Sequence, residues 1–399
     1  MESSSLKDLV GPLDRGSYVS LLSKIIGEAR HVQNNPPELV PKEDRVARHV
    51  LDVLLPLSTS TGGGPLIISH VSYSDGRGNI IAEYPGSDPH RILSFVGCHM
   101  DVITADPSDW DFDPFSLSGR GHKLRGRGTT DCPGHIALVA ELMRRLGETR
   151  PALKNTVVAV FIANEENSSV LGIGVDALVK DGLLNKLKKG PLFWIDTADK
   201  QPCIGTGGMI AWKLRATGKL FHSGLPLKAI NPLELAMEAL REIQSRFYKD
   251  FPPRPKEEFY GFATPSTIKP TQWGYPGGGV NQISGECTIS GDVSTTDVVK
   301  KLQEYVDDIN ANIEKLDSRG PVSNYVLPDE NLGENTDKLE ILILCPLIFG
   351  RLSISFDEAM MSGVACNLES CGFHVLCKAT EEVVGYVKPY SITGSLPLI

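Results

Sequence analysis

Apolar residues follow two alternating patterns in the first half of the chain. Between residues 92 and 196, runs that are apolar at nearly every position alternate with segments in which apolar residues recur every three or four positions. The first pattern is typical of strands buried on both faces, and the second is typical of amphipathic helices. The strand-like runs are ILSFVG, TVVAVFIANEE and PLFWID, and the helix-like segments between them are GHIALVAELMRRLGE and GVDALVKDGLLNKL. This order predicts β-α-β units, and therefore an α/β domain with a mixed, mostly parallel sheet between flanking helices.

The chain on either side of this repeat predicts further elements. Ahead of it, SYVSLLSKIIGEARHV and EDRVARHVLDVLL predict two helices separated by the breaker NNPPELVP, and LIISHVSYS and GNIIAEYP predict two strands. After residue 208, the alternating runs MIAWKLRATG and ECTISGDV and the helical segments NPLELAMEALREIQSRF and VVKKLQEYVDDINANIEKL predict a small α+β sandwich. We therefore predict an α/β domain formed by residues 1–207 and 321–399, with a second domain of residues 208–320 inserted into it.

Composition and charge narrow the class of protein. The 399 residues are 41% hydrophobic and carry a net charge of −9, which predicts a folded protein without the basic surface that nucleic acids require. The longest apolar run, LEILILCPLIFG, is shorter than the ~20 residues of a membrane-spanning helix. The eight cysteines form no CxxC pair, which favours a reducing compartment. Because no signal or transit peptide is evident, we expect a soluble, cytoplasmic protein without membrane or nucleic-acid partners.

Charged side chains follow the predicted parallel strands at the points where the strands end. They are His99, Asp101, Asp131, Glu165, Glu166 and Asp196. The intervals from His99 to Asp131, from Asp131 to Glu165 and from Glu166 to Asp196 are 32, 34 and 30 residues, about one β-α-β unit each. Ligands of open α/β sheets bind at the carboxyl ends of the strands. We therefore expect these six side chains to converge at one edge of the sheet.

One imidazole and several carboxylates at one place repel each other unless a cation lies between them. Histidine with carboxylates suits Zn²⁺ or a similar divalent ion, whereas oxygen ligands alone suit Ca²⁺ or Mg²⁺. We predict a metal site in which His99 is a ligand and Asp101 accepts the other ring N–H. Neighbours on an extended strand point in opposite directions, so one of Glu165 and Glu166 is expected to bind metal while the other acts as general base. A single aspartate at a strand end is more often a helix cap than a ligand, so the prediction depends on the combination of these residues.

Separated motifs in the chain resemble, in order, those of the M20 family of dinuclear zinc amidohydrolases and peptidases. They are GCHMDV, LRGRGTTDCPGH, FIANEEN, WIDTADK, FHSGLP and YPGGGVNQISGECTISGDV. The resemblance covers most of the chain and implies a zinc peptidase-like catalytic domain with an inserted lid and dimerisation domain. It implies a homodimer formed through the lid, two Zn²⁺ ions as cofactors with Co²⁺ as an alternative, and a small-molecule N-acyl amino acid as substrate.

The resemblance also assigns metal-binding roles to single positions. It implies that His99 and Asp196 hold one zinc ion, that Asp131 bridges the two ions, and that Glu166 holds the second. It implies that Glu165 is the general base, which takes a proton from the attacking water and passes it to the leaving amine.

Further implications concern the lid and the substrate. The resemblance implies that His222 stabilises the oxyanion, that Asn281 contacts the substrate, and that the peptide bond between Asp131 and Cys132 is cis. Within the family, the phrases GTGGM, KAINPLELA and LCKATEE resemble acetylornithine deacetylases of the plant type. The implied reaction is hydrolysis of N2-acetyl-L-ornithine to L-ornithine and acetate, a step of arginine biosynthesis.

Three features depart from the family pattern. Ser294 stands where the family has an arginine that holds the substrate carboxylate, and a hydroxyl cannot replace that bidentate contact. Residues 333–350 interrupt a family-like stretch, either as an extra buried strand or helix or as translated non-coding sequence. The chain ends before the family's last metal-binding histidine, and His374 is expected to be a core or strand histidine rather than its substitute. We therefore expect one incomplete zinc site and weak or no activity.

Two alternatives stay open. One is another M20 amidohydrolase or peptidase, such as a succinyl-diaminopimelate desuccinylase or an aminoacylase, because these enzymes share the metal-binding residues. The other is a non-catalytic, truncated relative that folds and dimerises. Glu165 favours a catalyst over this second alternative, since a protein that only binds has no need of a general base.

Overall fold

The fold is described from a computed structural model of the chain. The structure describes Asp8 and residues 10–167, 170–196, 200–262, 265–293, 298–316, 324–328, 347–357 and 362–392. Two compact units divide the chain, one up to residue 200 and one from residue 201 onward. The domain boundaries at residues 207 and 320 stay predictions. Within the described ranges, none of the helices has the length and apolar character needed to cross a membrane.

The first unit is built on a five-stranded mixed sheet with the strand order β1-β2-β6-β3-β7. The strands of this unit are β1 (Ile67–Ser72), β2 (Gly78–Tyr84), β3 (Asp88–His99), the hairpin β4 (Ser118–Arg120) and β5 (Lys123–Arg125), β6 (Asn155–Ile162) and β7 (Leu192–Trp194). Strand β3 pairs in parallel with β6 and β7, whereas the β1–β2 and β2–β6 pairs are antiparallel. The predicted α/β class with a mixed sheet is confirmed, and parallel pairing is restricted to the three strands that carry the charged residues.

Helices cover both faces of this sheet. They are α1 (Arg15–Glu28), α2 (Asp44–Leu54), α3 (Pro133–Thr149) and α4 (Val175–Lys180). Strand β6 is buried at nearly every position, and its residues alternate between two cores. Val157, Ala159 and Phe161 join the core that contains α1, α2 and α3, whereas Val158, Val160 and Ile162 join the core that contains α4. Burial on both faces explains why this strand is apolar throughout.

The second unit contains an antiparallel sheet with the order β11-β13-β9-β16. Its strands are β8 (Cys203–Thr206), β9 (Ile210–Thr217), β10 (Phe221–His222), β11 (Ile268–Gly274), β12 (Gln282–Ile283), β13 (Glu286–Val293), β14 (Val326–Pro328), β15 (Leu347–Phe349), β16 (Arg351–Phe356), β17 (Val364–Ala365) and β18 (Tyr390–Ile392). Its helices are α5 (Pro232–Asp250), α6 (Pro255–Phe259), α7 (Val299–Ala311) and α8 (Cys371–Val384). Alternate residues of β9 and β13 share one core with α5 and α7, as the alternating sequence pattern predicts.

Two of the sequence-based expectations differ from the structure. The helix predicted at residues 174–187 ends at Lys180, because Gly182 adopts a left-handed backbone with φ of 74° and breaks it. The expectation that His374 is a core or strand histidine is wrong, since it lies exposed in α8. That helix begins where the hydroxyl of Ser370 accepts a hydrogen bond from the N–H of Phe373 at 3.2 Å.

The sequence departures fall largely outside the described residues. Ser294 and residues 333–346 lie outside them, and so do residues 393–399. The end of the 333–350 stretch is described, and its residues 347–349 form β15, which pairs with β14.

Candidate metal centre

The three parallel strands end side by side, and the candidate residues follow their carboxyl ends. Strand β3 ends at His99, and β7 ends two residues before Asp196. Strand β6 ends three residues before Glu165. Because β3 lies between β6 and β7 in the sheet, these ends are neighbours. Asp131 lies two residues before α3, the helix that crosses from β3 to β6. The topology therefore brings all of these side chains to one edge of the sheet.

A bulge at Gly97 directs the end of β3. The pairing of β3 with β6 shifts register between Phe95 and Cys98, and Gly97 has a φ of 93°. A Cβ atom on Gly97 would lie 2.7 Å from the indole ring of Trp194. Only glycine fits a site that combines a positive φ with so close a neighbour. The glycine in FVGCH is therefore part of what places His99.

The imidazole of His99 is fully buried and faces carboxylates on its Nε2 side. Nε2 lies 2.8 Å from Oδ1 of Asp131, 3.6 Å from Oδ1 of Asp196 and 3.8 Å from Oε2 of Glu165. On the other side of the ring, Nδ1 lies 3.0 Å from the backbone oxygen of Asp101 and 3.5 Å from its Oδ1. The backbone oxygen is thus the nearer acceptor for the Nδ1 proton. In the neutral ring, a proton held on Nδ1 leaves the lone pair of Nε2 free to bind a cation among the carboxylates.

The carboxylate of Asp101 fixes the loop that carries the two glutamates. Its Oδ1 accepts a hydrogen bond from the backbone N–H of Glu165 at 3.0 Å, and its Oδ2 accepts one from the N–H of Glu166 at 3.0 Å. Oδ2 also accepts a hydrogen bond from Nδ2 of Asn34 at 2.7 Å. Asp101 is itself fully buried, so these donors offset the cost of burying its charge. It therefore holds both His99 and the glutamate loop.

The two glutamates do not diverge as the sequence analysis expected. Strand β6 ends at Ile162, so Glu165 and Glu166 lie in a loop where the alternation of an extended strand no longer applies. Asn164, immediately before them, has a φ of 57° and turns the chain. Ligand atoms of His99, Glu165 and Glu166 all lie within 4.8 Å of one another. Both carboxylates thus face the same place, and their division of roles stays a prediction.

The cluster contains more carboxylates than its one imidazole can neutralise. Burial raises the pKa of Glu165 from 4.5 to about 8, and the nearby carboxylates of Asp196 and Asp101 add to this effect. Burial, together with Asp131 and Asp101, raises the pKa of Glu166 from 4.5 to about 7. In both glutamates, His99 acts in the opposite direction. A second positive charge would stabilise both ionised glutamates.

This donor set fits a divalent cation. In the part of the chain that the structure describes, the ion pairs of Asp131, Glu165 and Asp196 run to His99 alone. Burial lowers the pKa of His99, but its surroundings, including its hydrogen bonds to Asp101, Asp131 and Asp196, raise that pKa well above its ordinary value. The imidazole thus takes the place of a cation in a buried pocket of carboxylates. Imidazole nitrogen with carboxylate oxygen is a ligand set for Zn²⁺ and similar ions.

Cys132 lies in the same cluster, although the sequence analysis gave it no role. Its Sγ lies within 4.8 Å of the ligand atoms of His99 and Asp196. Its Sγ lies 3.6 Å from the backbone oxygen of Gly97 and 3.6 Å from that of Ile195, and its one proton can be donated to either. Burial raises the pKa of this thiol well above its ordinary value, which favours the neutral thiol in the metal-free chain. The peptide bond between Asp131 and Cys132 is cis, which confirms that prediction.

The second unit brings His222 and Asn281 together. His222 ends β10, which pairs with β12, and Asn281 directly precedes β12. Nδ1 of His222 accepts a hydrogen bond from the backbone N–H of Gly224 at 3.0 Å. In the neutral ring this leaves the proton on Nε2, which lies 3.4 Å from the side-chain amide of Asn281 and can donate to that amide only through its oxygen. The exposed imidazole therefore presents an N–H donor beside an amide.

Comparison with known proteins places the chain in a family. A model of peptidase family M20/M25/M40 matches residues 95–396, which include all six residues of the cluster. The chain belongs to this family. The resemblance inferred from the sequence motifs is thereby confirmed, and the M20 fold accounts for the α/β unit with its flanking helices.

Two curated M20 relatives match along nearly the whole chain. The acetylornithine deacetylase of Arabidopsis thaliana is 70% identical over 403 residues, which cover 100% of this chain and 88% of that protein. The acetylornithine deacetylase of Dictyostelium discoideum is 45% identical over 402 residues, covering 97% and 87%. Among solved structures, an M20 metallo-carboxypeptidase of Sulfolobus solfataricus has a TM-score of 0.65 at 15% identity, covering 96% of this chain and 87% of that one. At that identity the likeness shows the fold alone.

Proposed function

We propose that this chain hydrolyses N2-acetyl-L-ornithine to L-ornithine and acetate in a metal-dependent reaction. The observation that carries the reaction class is the buried cluster of His99 with carboxylates at the carboxyl edge of the sheet, which includes a glutamate with a raised pKa. The choice of substrate is supported by the acetylornithine deacetylases to which the chain is 70% and 45% identical. In this proposal the small-molecule substrate is an N-acyl amino acid.

The residues of the cluster would hold two divalent cations, with Zn²⁺ proposed and Co²⁺ as the alternative. His99 and Asp196 would hold one ion, Glu166 would hold the second, and Asp131 would be a ligand of both. When bound, such ions polarise an amide carbonyl and lower the pKa of a water molecule. The backbone oxygen of Asp101 keeps the ring of His99 in the orientation in which Nε2 would bind the metal, because it accepts a hydrogen bond from the N–H at Nδ1.

Glu165 is the proposed general base. Its Oε2 is 3.8 Å from Nε2 of His99, and its side chain is 11% exposed, so it can reach both the metal cluster and a substrate. It takes a proton from the attacking water at a carboxylate oxygen and delivers that proton to the nitrogen of the leaving amine. A carboxylate beside the cluster is suited to both transfers, because it can accept a proton and return it.

His222 and Asn281 are proposed to contact the substrate, as the family resemblance implies. The N–H at Nε2 of His222 is suited to donate a hydrogen bond to the oxyanion that forms on the amide carbon. The amide of Asn281 can hydrogen-bond the substrate beside it. Dimerisation through the second unit and a cytoplasmic location stay predictions.

The proposed substrate can be tested by comparing three N-acyl amino acids with the same metal-loaded protein. We expect N2-acetyl-L-ornithine to have a kcat/KM at least ~10-fold above N-succinyl-diaminopimelate and N-acetylmethionine, since one pocket difference supplies about 10–200-fold discrimination. Dialysis against a chelator should abolish hydrolysis, and Zn²⁺ or Co²⁺ should restore it. Faster hydrolysis of either other substrate would favour a different M20 amidohydrolase. A metal-loaded chain that hydrolyses none of them would favour the non-catalytic alternative.

A further inference from the structure

A buried ion pair near the cluster joins the residue before α2, Glu43, to the residue before β2, Arg77. Arg77 and Glu43 have side chains that are 3% and 0% exposed. Nη2 of Arg77 donates to Oε1 of Glu43 at 2.6 Å, and Nε donates to Oε2 at 2.9 Å. This is the bidentate geometry of a strong ion pair. The attraction within a fully buried ion pair is largely offset by the cost of removing both charges from water, so the pair is not explained by stability alone. Its other contacts indicate what it does.

The ion pair holds Asn164, the residue that turns the chain before the two glutamates. Oε1 of Glu43 accepts a hydrogen bond from the backbone N–H of Asn164 at 3.2 Å, and Nη2 of Arg77 donates to Oδ1 of Asn164 at 3.0 Å. The amide of Asn164 in turn donates to the backbone oxygen of Val170 at 2.5 Å. Asn164 has a left-handed backbone with φ of 57°, a conformation that asparagine tolerates better than most residues with a side chain. The ion pair thus fixes the turn at Asn164, which directly precedes Glu165 and Glu166.

Asn34 joins this turn to the carboxylate of Asp101. Its Nδ2 donates both to Oδ1 of Asn164 at 3.0 Å and to Oδ2 of Asp101 at 2.7 Å. Its Oδ1 is buried and meets no donor among the described residues. A buried acceptor without a donor is a cost to folding. The side chain is therefore placed for the two hydrogen bonds that its NH₂ group donates.

We propose that Asn34 and the Arg77–Glu43 pair, acting through Asn164, are positioning residues that fix Asp101 and the Glu165–Glu166 loop in the geometry for binding metal. The inference rests on the proposed function and adds residues to which the sequence analysis gave no role. The three segments are the NNPP breaker, the start of α2 and the start of β2, and Asn34 lies 67 residues from Asp101 and 130 from Asn164 in sequence. None of these side chains has to touch metal or substrate, since their effect passes through Asp101 and the loop backbone.

Loss of Asn34 should loosen the metal centre without unfolding the protein. In Asn34→Leu, the side chain keeps its size and loses both donors together with the unpartnered oxygen, so we expect a melting temperature close to that of the wild type. We expect the Kd for Zn²⁺, titrated calorimetrically into the metal-free full-length chain, to rise about tenfold, as loss of outer hydrogen bonds typically causes. The kcat for acetylornithine should fall while KM changes little. A folded variant whose Kd for Zn²⁺ stays within twofold of the wild type would overturn the proposal.

A matched pair of arginine variants separates positioning from general stability. Arg77→Met leaves the buried Glu43 without its partner, and Arg144→Met does the same to Glu141, which is 2% exposed and lies in α3 away from the cluster. Both variants should have lowered melting temperatures, and the Kd for Zn²⁺ should rise about tenfold in Arg77→Met alone. The titrations are made below both melting temperatures. An equal rise of the Kd for Zn²⁺ in the two variants, or no rise in either, would contradict a positioning role. This pair also provides the test if Asn34→Leu does not fold.

The wild-type chain in the same titration separates the two proposals. A wild-type chain that binds no Zn²⁺ would contradict the proposed function, and with it the metal-dependent inference. A wild-type chain that binds Zn²⁺ and hydrolyses acetylornithine, with variants of unchanged affinity, would overturn the inference and leave the proposed function intact.

Discussion

Glu165→Gln is expected to lower kcat for acetylornithine hydrolysis by ~10²–10⁴-fold while bound metal stays at the wild-type level. Glutamine has the same shape and cannot accept and return a proton, and general base catalysis contributes a factor of this size. The measurement is the steady-state rate beside the metal content of the same sample. Glu166→Gln is the matched comparison, since it should lose bound metal as well as activity. Equal metal loss in the two variants would contradict the division of roles.

The pH dependence of stability shows whether the Glu165 variant retains the native fold. Burial raises the pKa of Glu165 from 4.5 to about 8 in the metal-free chain. The folded state therefore favours the protonated form, and it loses stability relative to the unfolded state as pH rises from ~4.5 to ~8. Glutamine does not ionise, so metal-free Glu165→Gln should melt above the metal-free wild type at pH 8, and the difference should shrink toward pH 5. A lower melting temperature at pH 8 would indicate that the substitution disturbs the fold.

Asp131→Asn is expected to weaken metal binding more than any change outside the cluster. Asp131 lies 2.8 Å from Nε2 of His99, and a neutral amide is a poorer ligand for a divalent cation than a carboxylate. Because loss of an outer hydrogen bond already costs ~10–100-fold, removing a carboxylate that is proposed to bind both ions should raise the Kd for Zn²⁺ by more than ~100-fold. Calorimetric titration of the metal-free protein measures this.

A second aspartate variant provides the control. Asp106 is exposed and accepts a hydrogen bond from the N–H of Ser108 at 2.9 Å, outside the cluster. Asp106→Asn should therefore bind Zn²⁺ as the wild type does. Retention of wild-type affinity by Asp131→Asn would remove this residue from the metal site.

Much of the fold could be predicted because local patterns reflect burial. The strand β6 is apolar at nearly every position since it is covered on both faces, and β9 and β13 alternate since one face packs on helices. These patterns are properties of neighbouring positions. Together with the charged residues that follow the strands at intervals of about one β-α-β unit, they indicated the carboxyl edge of the sheet as the place of the site.

What the sequence analysis missed depends on turns and on distant contacts. The prediction that Glu165 and Glu166 point in opposite directions was wrong, because β6 ends at Ile162 and the chain turns at Asn164 instead of continuing as a strand. The contacts of Asn34 with Asp101 and Asn164 span 67 and 130 residues. No periodic pattern records such pairings. A signal was nevertheless present, since an asparagine directly before two functional glutamates is suited to a left-handed turn.

The expectation of weak activity rests on the three departures from the family pattern, which no described contact tests, and it stays a prediction. The chemistry of the cluster itself does not depend on it. His99, Asp131, Glu165 and Asp196 are all described and lie together. The size of kcat in the loaded protein decides how far the departures at Ser294 and beyond residue 333 affect turnover.

The most direct test of the central claim is a metal titration in which bound Zn²⁺ per chain and acetylornithine hydrolysis are measured on the same metal-free starting sample. We predict no turnover without metal, a rate that rises with bound Zn²⁺ until the site is saturated, and a rate in Glu165→Gln that stays at background at every metal level. Hydrolysis by the metal-free chain, or a saturated wild-type chain no faster than Glu165→Gln, would contradict the account.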